Sequence, residues 1–78
     1  MHKYMIKFEK TFIEWWKSLT PNEKDDTSIV LSKECNTAIS TVQSWGRGYR
    51  VPKVRSQDKI VEFMKEKGIE VTNEILFP

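Results

Sequence analysis

The stretch LSKECNTAISTVQSWGRGYRVP, Leu31 to Pro52, decides how this chain reads. Leu31 and Cys35 stand four apart, a spacing that puts both on the buried face of one helix, with the small Ser32 beside them. Val42 and Trp45, three apart, mark the buried face of a second helix with Ala38 above them. Asn36 separates the two, and Asn accepts the left-handed backbone of a sharp turn better than most residues with a Cβ. Thr37 is the better N-cap for the second helix, because its hydroxyl can accept a backbone N–H that Ala38 cannot. Gly46 and Gly48 end that helix, and Tyr49 to Arg55 follows as an extended basic loop stiffened by Pro52.

The charge is placed where this pattern is. From Thr37 to Arg55 the chain carries Arg47, Arg50, Lys53 and Arg55 and no acid, a net +4. Residues 1–36 carry six basic and six acidic side chains, and residues 56–78 carry three and five, so the overall +2 arises entirely from this segment. A net charge of +2 says little about partners by itself; its concentration on one stretch does.

Seventy-eight residues suffice for one domain with a small core, here taken as residues 1–78 without an internal linker or repeat. With 38% apolar and 31% charged residues the chain is a folding sequence rather than a disordered one. Cys35 is the only cysteine, so no intramolecular disulfide forms, which suits the reducing cytoplasm. No apolar run approaches the ~18 residues of a membrane span, and MHKYMIKFEK lacks the apolar core of a signal peptide.

Outward from the central stretch, residues 4–19 read as one amphipathic helix. Tyr4, Phe8, Phe12, Trp15 and Leu19 form its apolar stripe and Met5 and Trp16 flank it. Ile6 and Ile13 fall near the opposite side, either as scattered surface residues or, with Trp16, as a partner surface. Thr20-Pro21-Asn22-Glu23 has capping-box spacing with Pro at the first helical position, so it starts either a short turn or a longer version of the next helix. Glu23, Asp25 and Asp26 lack the spacing and the Gly of a calcium loop and read as a solvated acidic turn. Thr27 or Ser28 is expected to cap the helix that runs to Cys35. Ser56 or Gln57 is expected to start a last full helix, with Ile60, Phe63, Met64 and Val61 inward and Gly68 ending it. Thr72 then caps a final turn that folds Ile75, Leu76 and Phe77 onto the core. The expectation is an all-α, compact four- to five-helix domain with no strand.

Two helices joined by a tight turn, with a polar outer face on the second and a basic loop after it, have the form of a helix-turn-helix, whose second helix can enter the DNA major groove. From about Thr27 to Phe77, two-thirds of the chain, the residues resemble the helix-turn-helix domains of the phage Cro/repressor type, the XRE-like family. Ser40-Thr41-Val42-Gln43-Ser44-Trp45 is similar to its recognition helix, Trp45 to Pro52 to the Trp-x-x-Gly-x-x-x-Pro ending, and Gly68 to Phe77 to the closing Gly-Val-Ser-x-x-x-Leu-Phe pattern. Asn36 stands at the family's turn Gly, Ala38 at its capping Ser, and the connection from Leu19 to Thr27 is longer than usual.

The resemblance implies a lambda-repressor-like fold with its motif at about residues 27–46, and a small transcriptional regulator of repressor type, of bacterial or phage origin. It would bind double-stranded DNA in sequence-specific fashion as a homodimer on a palindromic site. It places base readers at Ile39, Ser40, Gln43 and Ser44. Of these, Gln43 can make a two-point contact with adenine and Ile39 can press on a thymine methyl. Phosphate contacts would come from Arg47, Tyr49, Arg50, Lys53 and Arg55, from Thr37, and from Thr27 and Ser28 at a helix N-terminus. The alternative is a protein-interaction module on the same fold, an antitoxin or recombination accessory factor, using Ile6, Ile13, Trp16 or Ile39. An enzyme is not expected: His2 and Cys35 are alone of their kind, no nucleophile–base pair stands out, and Gly46-Arg47-Gly48 lacks the spacing of a phosphate-binding loop. No cofactor, metal or small-molecule ligand is expected.

Overall fold

The computed structural model describes residues 6–78, with side chains from Phe8 onward. In chain order the elements are β1 (Ile6–Lys7), α1 (Phe12–Lys17), α2 (Pro21–Glu34), α3 (Ile39–Arg47), α4 (Val54–Glu66), β2 (Ile69–Glu70) and α5 (Asn73–Leu76). Among the described residues the molecule is therefore mostly helical, with five helices, in keeping with the all-α expectation. The exception is one small parallel pair, in which Ile6 registers with Ile69 and Lys7 with Glu70. Tyr4 and Met5, assigned to the first helix, lie outside the described residues.

The single helix expected over residues 4–19 is replaced by a strand, a bend and the six-residue α1. The cause is a capping box inside the apolar stripe. The Thr11 hydroxyl accepts the Glu14 N–H at 3.2 Å, and the Glu14 carboxylate accepts the Thr11 N–H at 2.9 Å, so the helix starts after Thr11. The Phe8 N–H meanwhile donates to the Glu70 carbonyl at 3.0 Å, extending the strand pairing. Of the expected stripe, Phe12 and Trp15 are buried on α1, and Phe8 and Leu19, outside that helix, pack against the same core.

A second capping box starts α2. Thr20 Oγ1 accepts from the Glu23 N–H at 3.2 Å, Glu23 Oε1 accepts from the Thr20 N–H at 2.7 Å, and Pro21 takes the first helical position. The 14-residue α2 therefore begins well before Thr27. Thr27 and Ser28, expected as caps, are interior helix residues at 6% and 0% exposure, and Ser28 Oγ donates to the Lys24 carbonyl. Glu23, Asp25 and Asp26 are exposed to solvent, and no cluster of metal-binding side chains forms among the described residues.

Four residues join α2 to α3. Asn36 adopts φ 53°, the left-handed turn expected of it. The Thr37 N–H then donates to the Ser32 carbonyl at 2.9 Å, which closes the turn and keeps Thr37 in it. Ala38, not Thr37, is thus the N-cap of α3, and it offers no side-chain acceptor. Gly48, at φ 84°, ends α3 with its N–H on the last carbonyls. Gly46 is inside the helix for a different reason. A Cβ there would penetrate the Trp16 indole, so α1 packs directly on the α3 backbone. Trp16 is consequently a core residue at 4% exposure and not part of a partner surface.

The core joins Phe12, Trp15, Trp16, Leu31, Val42, Trp45, Ile60, Met64, Val71 and Leu76. Phe12 sits at its centre, with ring centroids 5.6 Å from Trp15, 5.9 Å from Trp16 and 5.5 Å from Phe77, distances that suit tilted aromatic packing. Thr72 caps α5 as expected, accepting from the Ile75 N–H at 3.3 Å. The helix after the basic loop starts at Val54 and not at Ser56 or Gln57. Pro52 is buried, and the Gln57 side-chain amide donates to its carbonyl at 2.9 Å, which holds the loop against the first turns of α4.

Candidate nucleic-acid interface

The inner side of α3 is set by Val42, Trp45 and Gly46, all buried. A 3.6-residue period turns Ser40, Ser44 and Arg47 to the opposite side, with Gln43 beside them. Ser40 is exposed, Gln43 and Ser44 are half-buried, and Ile39 is 45% exposed at the first turn. Ser44 Oγ donates to the Ser40 carbonyl at 3.0 Å, so its oxygen lone pairs are what remains free for an external donor. Among the described residues Gln43 makes no side-chain hydrogen bond, so both ends of its carboxamide remain available.

Two grooves flank this outward face, and they divide the expected phosphate contacts between them. On one flank, Gln43, Arg47 and Tyr49 share a groove of about 450 Å³ with Lys17, Lys24 and Asp25. On the other, Arg50, Lys53 and Arg55 line a cleft of about 690 Å³ with Thr37. Lys24 is half-buried and the other cations are exposed, and Tyr49 is 78% exposed. Arg55 belongs to the first turn of α4, not to an extended loop, so the loop proper is Tyr49–Lys53. Thr27 and Ser28 join neither groove. Their backbone N–H groups lie inside α2 and their side chains are buried, so the expected phosphate contact at a helix start disappears with the start itself.

The larger cleft also contains residues that sequence reading passed over: Thr41, Ser56 and Lys59, with Glu34 as its one acid. A signal for Lys59 was present. It stands four residues after Arg55, and once α4 begins at Val54 both fall on one helix face. Cys35 lies in the same wall, half-buried, with Sγ 3.8 Å from the Ser56 carbonyl. Burial raises its thiol pKa above the ordinary value, outweighing the Ser56 contact that lowers it, so the residue behaves as a small apolar group.

No helix among the described residues is long and apolar enough to cross a membrane. Comparison with protein-family models, with curated proteins and with solved structures gave no match for this chain.

Proposed function

We propose that the chain is a sequence-specific double-stranded DNA-binding protein, a small transcriptional regulator of repressor type with a lambda-repressor-like helix-turn-helix. The observation that carries this reading is the outward face of α3, whose polar residues lie between two cation-bearing grooves. A helix in the major groove has a phosphate strand on each side, so one cationic groove per flank is the arrangement it needs. Ile39, Ser40, Gln43 and Ser44 would meet base edges, and Arg47 and Tyr49 on one flank and Thr37, Arg50, Lys53 and Arg55 on the other would meet phosphates. One such helix reads few base pairs, so binding as a homodimer to a palindrome is part of the proposal.

Selection of bound sequences from random duplex DNA is the test. The expected result is a palindromic consensus whose binding is weakened by Gln43→Ala. Absence of duplex retention at low salt sinks the reading. The competing reading is a protein-interaction module, an antitoxin or recombination accessory factor, and one observation favours it: Tyr49, Val51 and Val54 are 78%, 74% and 66% exposed in one basic segment. Co-purification of a stoichiometric protein partner without salt-sensitive DNA retention would decide for it.

A further inference from the structure

The cleft between α3, the loop and α4 brings together more positive charge than the loop alone carries. Arg50, Lys53, Arg55 and Lys59 line it against the single acid Glu34, and three hydroxyls stand among them. Arg55 and Lys59 are four apart on α4, where like charges weaken a helix. An anion between them would reverse that repulsion. The volume of about 690 Å³ falls in the range of small-ligand sites and exceeds what one side chain would fill.

We propose that this cleft binds phosphate groups, with Lys59 and Ser56 as contact residues beside the cations of the loop. The phosphate has two possible sources with the same chemistry: the DNA backbone alongside α3, or a free phosphorylated small molecule. For duplex DNA the inference rests on the function proposed above; for a free anion it stands without it.

The test follows the amide resonances of Thr37, Thr41 and Ser56 while the full chain is titrated with pyrophosphate, and separately with a random-sequence duplex. Lys59→Glu and the milder Lys59→Gln are compared with Lys65→Glu, an exposed position on the same helix outside the cleft. With the duplex, the expected result is shifts at all three amides, a several-fold loss of affinity in Lys59→Glu, and a salt slope smaller by about one. Lys65→Glu should change each by much less. Shifts with pyrophosphate but no duplex binding keep the cleft, assign it to a free anion and remove the DNA reading. Shifts with the duplex alone keep the cleft and assign it to the backbone. If Lys59→Glu matches Lys65→Glu with both probes, or neither probe moves the three amides, the inference is overturned; duplex binding that persists in that case leaves the DNA reading intact.

Discussion

Gly46 of α3 lies against the indole of Trp16 with no room for a methyl group between them. Gly in a helix interior costs about 1 kcal/mol relative to Ala, so propensity alone favours Gly46→Ala. Overpacking a filled site costs about 1–3 kcal/mol, and the neighbour here is a rigid ring in the core rather than a flexible tip. Gly46→Ala is therefore expected to destabilise the fold, seen as a lower urea midpoint at unchanged slope. Combined with Trp16→Leu it should cost less than the two changes summed, because the smaller side chain removes the clash.

The turn at Asn36 gives a second outcome. Its φ of 53° costs a residue with a Cβ about 1–2 kcal/mol, and least for Asn. Asn36→Gly should leave stability equal or slightly higher, whereas Asn36→Val should lower it by about 1–2 kcal/mol because a β-branched side chain fits that region worst. Thermal melts of the pair decide this, and equal melts would mean that the turn has rearranged.

Two titrating groups set opposite limbs of the pH profile. Glu14 is held below its ordinary value, chiefly by the Thr11 backbone N–H, although burial opposes this. Its contribution is present above the unfolded value and is lost as pH falls through the lowered folded value. Glu14→Ala should therefore flatten the acid limb. Burial holds Cys35 above its ordinary value, so its contribution is complete below the unfolded thiol value and is lost as pH rises through the raised folded one. Cys35→Ala should flatten the alkaline limb, and alkylation of Cys35 should be slow near neutral pH. Rapid labelling there would contradict the raised thiol value.

If duplex DNA is the ligand, about four neutralised phosphates give a slope of log K against log salt near −3 to −4. Arg50→Ala should reduce that slope by about one for any sequence, while Gln43→Ala should lower affinity for the selected site and leave the slope unchanged. Fluorescence anisotropy across a salt series measures both. An equal effect of the two changes would mean that Gln43 reads no base.

What could be read from the sequence was set by burial period. Leu31, Val42, Trp45, Ile60 and Met64 were legible as core because each sits on a regular apolar stripe, and Asn36 because few other residues accept its conformation. Helix starts were harder, since Thr20-x-x-Glu23 and the Thr27-Ser28 pair both offer caps. The longer helix prevails by using Pro21 and a reciprocal hydrogen-bond pair at the first and burying the second. Trp16 was ambiguous because its partner is a glycine, which contributes no apolar signal. The cleft was only half legible because its outer wall depends on where α4 begins: placing that start at Ser56 or Gln57 hid the pairing of Arg55 with Lys59.

The strand pair between Ile6 and Ile69 joins the beginning of the described chain to its far end. Closing so long a loop has an entropy cost on the order of a few kcal/mol, against a ladder only two residues long. The helices are tied together by a continuous apolar core, whereas this seam rests on a two-residue ladder at the core's edge, so it is expected to open before the helices separate. Amide exchange at Phe8, whose N–H meets the Glu70 carbonyl, should accordingly proceed through a partial opening that leaves Val42 and Ile60 protected.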